Sequence, residues 1–197
     1  MSEPLVLASG SAIRRQILQQ ACIDFDVIKS AVDEDAIKQA NPDLPPRDMA
    51  LLLAKAKAGA VASQTSGRLV LGADQTMELD GDLLDKLPRR ELARERLMSM
   101  RGREHFLHSG LALYRDDKLV WSHQQTSTLH VRDFSDEFLD FYLSTAGDEL
   151  TASVGAYAYE GLGAQLFERV DADYFGVLGL PLIPLLAALR DQGLAPA

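Results

Sequence analysis

The chain has 197 residues, 47% of them hydrophobic and 25% charged, with a formal net charge of -9 and one cysteine, Cys22. That acidity excludes a general nucleic-acid or anionic-membrane surface, because phosphate-rich partners need a basic footprint. A single cysteine excludes an intrachain disulfide, and no stretch reaches the ~18 apolar residues that a membrane span needs.

The amino-terminal stretch MSEPLVLAS lacks the basic region of a leader. A cytoplasmic protein is therefore expected. No linker, repeat or low-complexity tract interrupts residues 1–197, which read as a single domain. Leu5 to Ala8 predicts a first strand, running straight into Ser9-Gly10-Ser11. A helix should follow, with Ser11 as its cap and Ile13, Ile17 and Leu18 on its buried face. Strand, small polar loop and helix is the arrangement that cradles a phosphate on backbone N–H groups. Arg14 and Arg15 fall in the first helical turn. Cations there oppose the helix dipole, so an anionic partner would compensate them. Cys22, among apolar neighbours, is expected to be buried.

Phe25 to Ile28 predicts a second strand, and the acids Asp33-Glu34-Asp35 follow within Ser30 to Ile37. They read either as an acidic helix start or as the source of a metal ligand. After a loop closed by prolines 42, 45 and 46, Met49 to Ser63 predicts the clearest helix. Its Lys55 and Lys57 are two apart and cannot share a face, so at most one points at a site.

The central stretch is Leu69 to Lys86, LVLGADQTMELDGDLLDK. Leu69-Val70-Leu71 predicts a buried strand that Gly72 breaks, with Asp74 just after it. A buried carboxylate is costly unless it meets a cation or a donor, and ligands bind at the carboxyl ends of strands in open α/β sheets. Gln75 and Thr76 add an amide and a hydroxyl, and Lys86 follows a turn at Asp80-Gly81-Asp82. Acid, amide and lysine together suit a metal-assisted reaction on a phosphorylated substrate. A metal lowers the pKa of water, and a carboxylate orients it and takes the proton.

Arg89 to Met100 predicts a helix, and Glu104 to Tyr114 with Leu119 to Val131 an antiparallel pair. His105, His108, His123 and His130 lie along that pair without the spacing of a helical metal site, and are expected on its surface. A helix at Ser135 to Tyr142, a glycine-rich loop over Gly147 to Gly163 carrying Glu160, a strand at Gln165 to Arg169 and a helix at Pro181 to Arg190 complete the chain.

In this order the motifs resemble the Maf family of nucleoside triphosphate pyrophosphatases. The matching segments are LASGSAIRR at 7–15, VDE at 32–34, LAKAKA at 53–58, GADQ at 72–75, DK at 85–86, GREHFLHSG at 102–110, VGAYAYEGLGAQLFERV at 154–170 and GLPLIPLL at 179–186. The resemblance implies a Maf/ITPase-like α/β fold, with an elongated mixed central sheet flanked by helices. It implies hydrolysis of the α–β bond of a nucleoside triphosphate with a divalent metal (Mg2+, Mn2+ or Co2+), usually by a homodimer. By position, Asp74 resembles the proton acceptor and, with Glu34, the metal-side carboxylates. Ser9, Ser11, Arg14 and Arg15 resemble the phosphate loop, and Lys57 and Lys86 the triphosphate-facing lysines.

The same resemblance implies that Ile13, Gln75 and Glu160 stand at positions tied to substrate choice. Gln75 and Glu160 resemble the 7-methylguanosine triphosphate branch rather than the thymidine/uridine branch. A carboxylate accepts both donors of a guanine edge and suits its positive charge when methylated. Ile13 departs from that branch, which usually has tryptophan there. The alternatives are a pyrimidine triphosphatase, or a non-catalytic nucleotide-binding regulator of cell division.

Overall fold

The computed structural model describes residues 4–195, so the first three residues of the amino-terminal stretch lie outside the described residues. The strands are β1 (Leu5–Leu7), β2 (Phe25–Val27), β3 (Leu69–Leu79), β4 (Asp82–Leu84), β5 (Glu104–Arg115), β6 (Lys118–Val131) and β7 (Phe167–Asp171). The helices are α1 (Ala12–Gln20), α2 (Glu34–Ala40), α3 (Pro46–Ala62), α4 (Ala93–Met100), α5 (Asp136–Thr145), α6 (Glu149–Ala152), α7 (Tyr174–Val177) and α8 (Leu182–Asp191). The strands form a mixed sheet in the order β2-β1-β3-β5-β6-β7, with β4 paired to β3. β1 runs parallel to β2 and β3, while the β3–β4 and β6–β7 pairs are antiparallel. The expected mixed α/β sheet is what the chain forms. Among the described residues no helix is long and apolar enough to cross a membrane.

The chain divides into two compact units. Unit 1 holds Met1–Thr76, His108–Thr126 and Asp173–Ala197, and unit 2 holds Met77–Leu107 and Ser127–Ala172.

In unit 1 the two-residue period of the strands sorts side chains into two cores. Leu5, Leu7, Leu69, Leu71, Ala73, Leu111 and Leu113 pack with Ile17 and Leu18 of α1 and Leu182, Leu185 and Leu189 of α8. Their neighbours Val6, Val70 and Ala112 pack with Ala54, Ala58 and Val61 of α3. Strands buried on both faces read as unbroken apolar runs, which is why LVL occurs twice.

Gly72 does not break β3, contrary to the sequence expectation. The strand continues to Leu79, so Asp74 lies in mid-strand rather than at its end. The glycine has a packing role. A Cβ on Gly72 would stand 2.0 Å from the Ala54 carbonyl oxygen and 2.7 Å from the Ala58 nitrogen. A Cβ on Gly110 of β5 would stand 2.5 Å from the Ala50 carbonyl oxygen. Two glycines on one face thus let the backbone of α3 settle directly on the sheet. The helix begins at Pro46, three residues before the expected Met49, with proline in its favoured first-turn position. Cys22 is exposed, not buried. It follows α1 in a turn with φ +54°, beyond the apolar stripe that ends at Leu18.

Unit 2 buries Leu97, Met100, Leu107, Leu129, Phe134, Leu139, Tyr142 and Leu166. The histidine expectation fails here for His105, which is 0% exposed. Its Nε2 lies 2.7 Å from the Tyr157 hydroxyl, and its ring packs against Tyr157 and Phe167. Burial pushes its pKa down from 6.5 to about 3. In unit 1, His108 is buried as well, with Nδ1 2.9 Å from the Thr126 hydroxyl. Both depart from the surface expectation because β5 is covered along most of its length. His130, by contrast, meets Asp171 at 3.0 Å and Glu104 at 3.6 Å.

The His105 environment has an acid-stability consequence. Between pH 6.5 and pH 3 the unfolded chain binds a proton there that the folded chain refuses, so stability falls as pH falls through that window. The loss is on the order of 1.4 kcal/mol per pH unit for one such group. Urea midpoints at pH 7.5 and pH 5 should converge more for His105→Gln than for the natural protein. An equal acid dependence in both would remove His105 from the account.

Candidate active site

The site in unit 1 is built where β1 and β2 end. β1 runs into Ala8, Ser9 and Gly10, and β2 is followed by Ile28, Lys29 and Ser30. These ends border a cleft of about 120 Å³, lined by Ala8, Ser9, Gly10, Lys29, Ser30, Glu34 and Lys57. A crevice outside the carboxyl ends of parallel strands is where open α/β sheets bind ligands.

At the cleft stands a three-member ion cluster. Lys57 Nζ lies 2.5 Å from Asp74 Oδ1 and 2.7 Å from Glu34 Oε1. Each member arrives for a local reason. Asp74 shares a β3 face with Val70 and Gly72 and so points toward α3. Lys57 lies on the same α3 stripe as Ala54 and Val61, three and four residues away. Lys55 lies off that stripe, which resolves the choice between the two lysines. Asp33 caps α2 by accepting the Ala36 N–H at 3.0 Å, and Glu34 is the first residue inside the helix. Thr76 donates to the Pro46 carbonyl at 2.7 Å, tying the start of α3 to β3.

Asp74 is only 7% exposed. Burial raises its pKa above the usual carboxylate range, against the opposing pull of Lys57 and Arg14. A carboxylate shifted upward is a stronger base than a free aspartate.

The Ser9 loop is held by its own hydroxyls. Ser9 Oγ accepts from Ser11 N–H at 3.3 Å and from Arg14 Nη1 at 3.2 Å. Ser11 caps α1, as expected, accepting Arg14 N–H at 3.4 Å. Each hydroxyl used as an acceptor keeps its O–H to donate to an anion.

Arg14 is buried, and its guanidinium is turned inward. Nε donates to the Gly179 carbonyl at 2.9 Å, and Nη1 donates to the Ala73 carbonyl at 2.8 Å. Burial lowers its pKa. The residue staples the Ser9 loop, the β3 strand and the turn before α8. That turn needs glycine: Gly179 has φ +80°. Arg15 is exposed on α1, and Ile13 is partly buried against the α1–α8 core. Gln75 faces away from Asp74. Its amide nitrogen donates toward the Ser109 hydroxyl at 3.2 Å and the Gly176 and Val177 carbonyls at 3.1 Å each. Its evident work is to dock α7.

Ser9, Glu34, Lys57 and Asp74 are therefore brought together. Lys86 and Glu160 are exposed residues of unit 2. Lys29 and Ser30 line the cleft and are not among the site residues nominated above. The signal was present: they follow an apolar strand, as Ser9 does.

The donor set can be tested against a divalent cation. Among the described residues no group of three or more His, Cys, Asp or Glu could hold a metal ion. Two carboxylates nevertheless converge on one cationic centre, the Lys57 ammonium. Magnesium is commonly bound through one or two carboxylates plus substrate phosphates, so Asp74 and Glu34 fit such an ion.

The family described as Maf-like protein matches residues 4–192 of the chain. A protein of Maricaulis maris (strain MCS10), named nucleoside triphosphate pyrophosphatase, is 67% identical over 188 residues, spanning 95% of this chain and 96% of that one. A protein of Rhizobium meliloti (strain 1021), named 7-methyl-GTP pyrophosphatase, is 45% identical over 195 residues, spanning 98% of each. The carboxylate–lysine cluster and the serine loop are thus set in a sequence that matches these relatives over nearly all of its length, and the chain belongs to the Maf family.

Proposed function

We propose that this chain hydrolyses a nucleoside triphosphate to the monophosphate and pyrophosphate, with a modified guanine nucleotide such as 7-methyl-GTP as substrate. The observation that carries the reading is the Lys57 bridge between Asp74 and Glu34 at a cleft rimmed by the Ser9 loop. The name of the 67% identical relative supports the reaction class, and that of the 45% identical relative supports the base.

Water attacks phosphorus, Asp74 accepts its proton, and the bond to the departing pyrophosphate breaks. Asp74 can do this because its buried carboxylate is a better base than an exposed one. Ser9 and Ser11 hydroxyls and the amino terminus of α1 would hold phosphate oxygens. Arg14 acts on this loop from behind, as a positioning residue. A divalent cation, when bound by Asp74 and Glu34, would supply an acidified water and offset phosphate charge. No covalent intermediate is required. The homodimer, and roles for Lys86, Gln75 and Glu160, follow from the family resemblance and belong to the same reading.

The test is a panel of triphosphates assayed for pyrophosphate release with magnesium, manganese or cobalt. The methylated guanine nucleotide should lead the panel, and Glu160→Gln should lower its kcat/KM by roughly 10-fold or more, the scale of an unpaired base edge. Unchanged base preference in Glu160→Gln would favour the pyrimidine reading. Tight nucleotide binding with no turnover across the panel would favour the regulator.

A further inference from the structure

The cation supply of the cleft differs from what the sequence suggests. Arg14 is turned onto the Gly179 and Ala73 carbonyls. Arg15 is exposed and is not among the residues lining the cleft. Lys57 is in contact with two carboxylates, so the cluster of Lys57, Asp74 and Glu34 carries a formal charge of -1. The Arg14 guanidinium, whose field reaches both carboxylates, brings the four groups only to formal neutrality and leaves a polyphosphate uncompensated. One further cation lines the same cleft. Lys29 follows β2, is exposed, and makes no ion pair among the described residues.

Its placement depends on a small neighbour. A Cβ on Gly10 would stand 3.0 Å from Lys29 Cε, 3.4 Å from Cδ and 3.6 Å from Nζ. The lysine stem therefore lies across the one residue of the Ser9-Gly10-Ser11 loop that has no side chain. Its ammonium is set beside the loop whose hydroxyls and N–H groups suit an anion.

We infer that Lys29 is the residue of this cleft that neutralises substrate phosphate, holding the part of the chain that departs as pyrophosphate. This rests on the proposed pyrophosphatase reading and extends it to a residue outside the cluster of Lys57, Asp74 and Glu34. An ammonium acts on phosphate as a point charge, so arginine should replace it and glutamine should not.

The experiment measures inorganic pyrophosphate binding by calorimetry, with magnesium present, on the natural protein, Lys29→Gln and Lys29→Arg. Because Lys29 is exposed, all three should melt alike. The pyrophosphate dissociation constant should rise about 5- to 20-fold in Lys29→Gln, the scale of one charge-assisted contact, and stay within about 3-fold in Lys29→Arg. Binding of the nucleoside monophosphate should be unchanged in both. Equal pyrophosphate affinity in the natural protein and Lys29→Gln overturns the inference, as does failure of the natural protein to bind pyrophosphate. Product analysis keeps the two readings apart. Release of orthophosphate instead of pyrophosphate would remove the proposed reaction and leave the Lys29 titration to be read independently.

Discussion

Gly72→Ala should lower stability by about 3 kcal/mol or more, at the upper end of what overpacking costs. The new methyl carbon would stand 2.0 Å from the Ala54 carbonyl oxygen, 2.7 Å from the Ala58 nitrogen and 2.8 Å from the Ala58 Cβ. Two of those atoms are helix backbone and cannot rotate aside. The helix must lift or the strand must bend. In a chain of this length each kcal/mol moves the melting temperature by about 2–4 °C, so a drop of roughly 6–12 °C is expected. Activity should suffer beyond the loss of folded protein. Lys57 sits between the two residues struck, and a shift of about 1 Å in a catalytic group can cost 100-fold. Thermal melts alongside kcat/KM measured well below the transition check both parts. An alanine variant that melts and turns over normally would show that α3 is not seated on Gly72.

Asp74→Asn should reduce kcat by about 10²–10⁴-fold, the range for loss of a positioned general base. The shape of the side chain is kept and the fold should persist, since Lys57 retains Glu34 at 2.7 Å. The amide oxygen can still accept from the Lys57 ammonium, so the change removes a negative charge rather than the contact, and the melting temperature should move little beside the rate. A rate within a few-fold of the natural protein would exclude Asp74 as the base, whatever the substrate.

How far these features are legible from residues alone depends on how far apart their partners lie. The Ser11 cap, the acidic start of α2 and the paired LVL strands are local patterns and survive intact in the structure. Asp74 can be nominated from its neighbours, because a carboxylate in a buried strand demands a partner, whereas the spacing of Lys55 and Lys57 leaves the choice between them open and only the family resemblance points to Lys57. Gly72 could not be read correctly. Glycine is a poor strand former on local grounds, and its reason for being there is a helix backbone 14 residues earlier in the chain. Arg14 looked anion-facing because the carbonyls it serves are 59 and 165 residues away. His105 looked like a surface residue because Tyr157, its partner, is 52 positions distant. Lys29 is inconspicuous for the opposite reason. A lysine after a strand is ordinary until the cleft beside it is seen to lack another unengaged cation.

The central claim is that the cleft beside Asp74 splits a nucleoside triphosphate at a single bond. Phosphorus NMR of the purified protein with magnesium and the preferred triphosphate tests it most directly. Monophosphate and pyrophosphate signals should grow together, in equal amounts, with no nucleoside diphosphate at any time. A diphosphate signal accompanied by orthophosphate would contradict the account.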